Sequence, residues 1–207
     1  YNPDFDTDWL RFNFSSPKTP TTIFEMNVNT KEKKLLKQYE IPSGHKPDDY
    51  ITEKIFATAP DGKKVPISIL YKKGLNKNGK NPVYMESYGA YGSAMYTGFS
   101  NIVYTLVDRG FIYAMPHVRG GDDLGRKWYY DGKMMNKKNT FFDFIACTEQ
   151  LINEKYTSSG MIIAKGASAG GLLMGAIANM RPDLYKGIIL NVPFVDVLNT
   201  MTDTLLP

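Results

Sequence analysis

Apolar side chains fall on alternate positions through the first part of the chain: Leu10, Phe12 and Phe14 in one run, then Phe24, Met26 and Val28 in the next. A period of two predicts strands. The polar turn Asn29-Thr30-Lys31 then leads into a third short strand over 34–39. Three short strands with polar turns predict antiparallel β-structure. Alone, such a unit exposes its edges and buries little, so part of a larger β-domain is expected. Residues 41–49, rich in Pro, Gly and polar side chains, predict a linker.

The pattern then changes. Runs over 52–59 and 65–72, joined by Pro60-Asp61-Gly62, predict a hairpin. Residues 82–87 predict a short buried strand. Phe99, Ile102, Val103 and Leu106 have helical spacing, stopped by Gly110. A strand follows over 111–116, a helix over 141–153 and a buried strand over 161–165. An Ala/Gly/Leu-rich helix over 169–180 ends at Arg181-Pro182, and a last strand covers 187–192. From residue 82 the order is β-α-β-α-β-α-β. That order predicts an α/β fold, a mostly parallel sheet with helices on both faces.

Composition narrows the function classes. With 43% hydrophobic and 22% charged residues in 207, a disordered chain, a fibrous repeat and a small stapled scaffold are excluded. The net charge of +4 is mild. The lysine clusters sit among polar residues without interleaved aromatics, so they read as solvated turns and no nucleic-acid partner is expected. No apolar run reaches the ~18 residues of a span and no signal peptide is read at the start, so no membrane partner is expected. The single cysteine, Cys147, reads as core packing and fits a reducing, cytoplasmic location. No His/Cys/carboxylate cluster has metal spacing, so neither metal nor cofactor is expected. The first residue is Tyr1 and the last is Pro207, and neither end resembles the terminus of a compact domain. An incomplete sheet, with an unpaired edge and exposed apolar surface, is therefore expected.

The sharpest chemical signal is Gly166-Ala167-Ser168-Ala169-Gly170, a G-x-S-x-G pattern between a buried strand and a helix. That context is the strand–turn–helix of a nucleophile elbow. The small neighbours allow a strained turn that lifts Ser168 Oγ above the sheet. The Ala169 N–H, at the helix start, can then stabilise an oxyanion. The other reading is a glycine-rich strand-to-helix turn that binds phosphate. Tyr88, in Glu86-Ser87-Tyr88-Gly89, follows the 82–87 strand, where the second oxyanion donor arises in such folds; a Tyr/Gly turn packed on the sheet edge is the alternative. His117 is placed two strand spacings, about 10 Å, from the serine strand, too far for a base that needs about 3 Å. It is expected to be a hydrogen-bonded structural histidine. After Ser168 come three aspartates and no histidine; Asp196 reads as a turn or cap residue.

By these residues the chain resembles the prolyl oligopeptidase family of serine peptidases, most closely its oligopeptidase B branch. The likeness runs through Trp9-Leu10-Arg11-Phe12, Thr58-Ala59-Pro60-Asp61-Gly62, Asp108-Arg109-Gly110-Phe111, His117-Val118-Arg119-Gly120-Gly121, Lys138-Asn139-Thr140-Phe141, Gly166–Gly175 and Val192-Pro193-Phe194-Val195-Asp196-Val197. The resemblance implies that 1–45 are the last strands of a β-propeller. Residues 46–207 would then be the N-terminal part of an α/β-hydrolase domain. It implies Ser168 as nucleophile, Tyr88 as oxyanion donor, and Tyr91 and Phe194 as substrate-pocket residues. The implied substrate is a short peptide cut after Lys or Arg. The branch usually carries aspartates after the oxyanion tyrosine, whereas Ser93-Ala94-Met95-Tyr96-Thr97-Gly98 has none, which departs from a strict dibasic preference. The triad order Ser, Asp, His implies that acid and base lie beyond this chain. The chain alone is thus expected to be inactive. Its partner would be a complementary C-terminal fragment, or it would be a non-catalytic split or decayed piece.

Overall fold

The computed structural model describes residues 2–205. Strands β1 (Trp9–Ser16), β2 (Thr19–Asn27) and β3 (Lys33–Gln38) form an antiparallel sheet in that order. The β2–β3 turn follows from its residues. The Asn27 carboxamide oxygen accepts the Asn29 and Thr30 N–H groups, and Lys31 takes a left-handed φ of 64°. Phe12 pairs with Phe24 across β1 and β2, their rings 5.7 Å apart. Phe14 and Leu35 stay exposed, so this sheet buries little, as its length predicts.

The second sheet has six strands: β4 (Tyr50–Thr58), β5 (Lys64–Lys72), β6 (Val83–Glu86), β7 (Ile112–Pro116), β8 (Ile162–Ala167) and β9 (Tyr185–Asn191), in the order β4-β5-β7-β6-β8-β9. The β4–β5 hairpin and the β5–β7 pair are antiparallel; β7-β6-β8-β9 are parallel. One face is covered by α1 (Asn101–Val107), whose Val103, Tyr104 and Val107 meet Tyr50 and Leu70. The other face is covered by α3 (Lys138–Asn153) and α4 (Ala169–Met180). There Phe144, Leu151, Leu173 and Ile177 share one core with Ile67, Met85 and Ile162. Two short helices, α2 (Arg126–Tyr130) and α5 (Val197–Thr202), lie in segments whose periodicity is too brief to predict them. Helix α3 starts three residues before the apolar period does. Its first turn is polar, yet Thr140 turns inward to donate to the Arg119 and Gly132 carbonyls.

The predicted linker is anchored. His45 stacks on Tyr50 and meets Tyr104 edge-on, with centroids 4.9 and 4.6 Å apart, and its Nε2 lies 2.7 Å from the Lys18 carbonyl. Tyr104 donates to the Pro17 carbonyl at 2.8 Å. The two sheets therefore meet through an aromatic cluster. At the far side, no strand pairs with the outer edge of β9 among the described residues. Ile189 and Leu190 on that strand are exposed, as are Val192, Leu198 and Met201 beyond it. The unpaired edge and exposed apolar surface expected from the sequence lie here.

Candidate active site

The carboxyl ends of parallel strands are where an α/β sheet presents its ligand-binding loops. Three such ends, those of β6, β8 and β9, converge on Ser168. The residue has φ 54° and ψ −118°, far from either region a serine ordinarily occupies. Strain of this kind persists where the surroundings over-determine it, and here they do. The Ser168 N–H donates to the Asn191 carbonyl at 3.0 Å, and its own carbonyl accepts from Gly171 at 2.9 Å and Phe194 at 3.0 Å. Strand, helix and following loop thus all hold the backbone of one residue. Ser168 itself is exposed.

The small residues around it are required by contact. A Cβ on Gly170 would sit 2.9 Å from the Ser87 carbonyl oxygen and 3.3 Å from Tyr88 Cα; one on Gly171 would sit 2.6 Å from Pro193 Cβ. The end of β6 therefore lies against the first turn of α4, with Tyr88 beside the elbow. Ala169 is the first residue of α4, so its N–H has no acceptor within the helix. Tyr91, at φ 58° and 77% exposed, leans toward Tyr88 with ring centroids 6.5 Å apart. Phe194 is tied to the Ser168 carbonyl by its N–H. The structure thus brings Ser168, Ala169, Tyr88, Tyr91 and Phe194 to one end of the sheet.

The loop carrying Tyr88 is fixed from behind. Lys137 Nζ donates to the Gly89 carbonyl at 2.6 Å, and burial pulls this amine from its ordinary 10.5 down to about 8. The Gly92 N–H donates to the Gly120 carbonyl at 2.9 Å. Next to Gly120, Arg119 is 2% exposed and its guanidinium pairs with Asp143, which is fully buried, and with Asp61 on the β4–β5 turn. Burial pulls against this guanidinium, but hydrogen bonds to Asp143 and Asp61 hold its pKa above the usual arginine range. Sequence reading missed this cluster, because three segments far apart in the chain supply it.

His117 does not reach Ser168. It leaves the end of β7, with β6 between it and the serine strand. Its Nδ1 lies 2.7 Å from Asp123 Oδ1 and its Nε2 lies 2.8 Å from Ser68 Oγ, so both nitrogens are engaged, as a hydrogen-bonded histidine requires. His45, the other histidine, sits in the aromatic cluster between the sheets. Asp196 occupies the position before α5 and bonds Asn199. Cys147 is buried in the core. Among the described residues no group of His, Cys, Asp and Glu could hold a metal, and no helix is long and apolar enough to cross a membrane.

A strained serine between strand and helix and a tyrosine at the neighbouring strand end thus stand together in this sheet order. The model of the prolyl oligopeptidase family matches residues 97–207. The chain belongs to the prolyl oligopeptidase family. It is 47% identical over 207 residues to dipeptidyl aminopeptidase BI of Pseudoxanthomonas mexicana, covering all of this chain and 28% of that relative. It is 42% identical over 203 residues to protease 2 of Moraxella lacunata, covering 98% of this chain and 29% of the relative. The structure of oligopeptidase B from Trypanosoma brucei with covalently bound antipain is similar at a TM-score of 0.91 and 44% identity, over 98% of this chain and 29% of that one. The chain therefore spans less than a third of the length of these relatives. Its fold is of the α/β-hydrolase type, preceded by antiparallel strands of the β-propeller kind.

Proposed function

We propose that this chain carries the nucleophile and oxyanion site of a serine peptidase acting on short peptides. Residues 1–45 belong to the end of a propeller and 46–207 to the N-terminal part of the hydrolase domain. Ser168 Oγ attacks the scissile carbonyl, and the Tyr88 hydroxyl and the Ala169 N–H stabilise the oxyanion. Tyr91 and Phe194 flank the residue before the scissile bond. The observation that carries this reading is the Ser168 backbone, held at φ 54° by three segments with Tyr88 alongside.

Catalysis also needs a base. Both histidines of this chain are engaged elsewhere, so we assign the base to polypeptide outside these 207 residues. A nucleophile without its base loses most of its rate enhancement. The substrate is a peptide cut after Lys or Arg, the preference that the resemblance to oligopeptidase B implies. A second reading, removal of amino-terminal dipeptides, is favoured by two observations: the relative at 47% identity is named a dipeptidyl aminopeptidase, and the loop over 93–98 carries no acid.

The test uses fluorogenic amides of arginine, one blocked at its amino end and one a free dipeptide. The 207-residue chain alone is expected to show no turnover. Mixed with a polypeptide supplying the remaining length of its relatives, it is expected to cleave, and Ser168→Ala is expected to abolish cleavage. Turnover that survives Ser168→Ala would contradict the reading. Cleavage of the free dipeptide alone would select the second.

A further inference from the structure

The hydrogen bonds of His117 form a relay that the elbow does not use. Asp123 Oδ1 accepts the Met95 N–H at 2.9 Å and faces His117 Nδ1 at 2.7 Å. An ionised carboxylate only accepts, so Nδ1 carries the proton and donates. In the neutral imidazole Nε2 is then the acceptor, and Ser68 Oγ, 2.8 Å away, donates its proton to it. Both distances lie within the range of a nucleophile–base–orienter arrangement. Asp123 Oδ2 is buried and has no partner among the described residues. Through Oδ1, Asp123 holds the His117 ring in this tautomer and orientation.

The relay opens on space. A cavity of about 280 Å³ is lined by Ser68, His117 and Asp123 together with Lys54, Tyr96 and Leu124. Lys54 stands directly opposite Ser68 in the β4–β5 register, so the two side chains share a face. Its ammonium can offset negative charge developing at the mouth of the cavity. Ser68 lies three strands from the Ser168 strand, about 14 Å at ~4.8 Å per spacing, so the two serines do not share a substrate atom.

We propose that Ser68 is a second nucleophilic serine of this chain, activated by His117 and oriented through Asp123, which accepts an acyl or phosphonyl group from small activated esters entering this cavity. Oγ attacks the electrophilic centre and its proton passes to His117 Nε2. The bond to the leaving group breaks, and Nε2 returns the proton to the leaving group or to water. Strand β5 is paired on both sides around Ser68, with β4 and with β7. No pair of free strand amides remains there to form an oxyanion hole, so the modified serine accumulates and turnover is slow.

The experiment treats the Ser168→Ala chain with a small alkyl ester of a fluorophosphonic acid and maps the product by mass spectrometry. The Oγ–P bond forms, the P–F bond breaks and fluoride leaves. The expected result is one adduct per chain on the tryptic peptide Val65–Lys72, whose single serine is Ser68. The same treatment of His117→Gln/Ser168→Ala is expected to be at least about 10²-fold slower, the scale of general-base assistance. Asp123→Asn/Ser168→Ala, which keeps the side-chain size, serves as a second slowed variant should the histidine change unfold the chain by circular dichroism. No adduct at Ser68 on the folded Ser168→Ala chain overturns the proposal, as does labelling equally fast in the folded relay variants. Peptide cleavage through Ser168 is read separately, so either conclusion can fail without the other.

Discussion

Replacing Asp143 by alanine isolates the charge cluster behind the Tyr88 loop. Asp143 accepts from Arg119 Nε at 2.9 Å, from Nη2 at 2.6 Å and from the Arg119 backbone N–H at 2.9 Å. It is fully buried and Arg119 is 2% exposed. The variant therefore leaves an arginine in the core with only Asp61, which is 43% exposed, to answer it. Breaking a buried pair from one side costs about 3–5 kcal/mol. For a chain of this size each kcal/mol shifts Tm by about 2–4 °C, so a fall of about 6–20 °C is expected by circular dichroism. Asp61→Ala removes the exposed partner and is expected to cost at most about 1 kcal/mol. The double variant Arg119→Met/Asp143→Leu removes the buried charge altogether and is expected to recover most of the loss. An Asp143→Ala chain within about 1 kcal/mol of the parent, or matched by Asp61→Ala, would refute the reasoning.

Three further outcomes follow from other contacts. Gly171→Ala gains up to about 1 kcal/mol of helix propensity but drives a Cβ to 2.6 Å from Pro193 Cβ, so urea denaturation should show a net loss of about 1–2 kcal/mol rather than a gain. Lys137 binds its proton less readily folded than unfolded, so the unfolded state holds more protons between about pH 8 and 10.5 and stability rises with pH there; Lys137→Met should flatten this rise in denaturation curves taken between pH 7.5 and 9.5. His45→Ala removes the ring packed on Tyr50, Phe99 and Tyr104, and should speed limited proteolysis within residues 2–45 while leaving the core of the larger sheet protected.

The strands and long helices were legible because each carries one clean period. Leu10, Phe12 and Phe14 alternate through β1, and Phe144, Cys147 and Leu151 mark the buried stripe of α3. The elbow was legible because its physics is local: Ser168 needs small neighbours within two residues, and those neighbours are written beside it. The strand order was legible enough to exclude His117 as the base for Ser168. Other features depend on contacts between distant segments. Nothing near Asp143 announces that Arg119 and Asp61 meet it, and nothing near Ser68 announces His117. The anchored linker is of the same kind, since His45 finds its partners on β4, on α1 and in the loop before α1.

In the proposed reaction Ser168 and Tyr88 act on the same reacting carbonyl. It is tested most directly by kcat and KM for an arginine amide in the complemented enzyme, with Tyr88→Phe beside the parent. In Tyr88→Phe, kcat is expected to fall about 10²–10³-fold while KM changes little, as for an oxyanion donor used only in the transition state. An unchanged kcat, or a loss confined to KM, would contradict it.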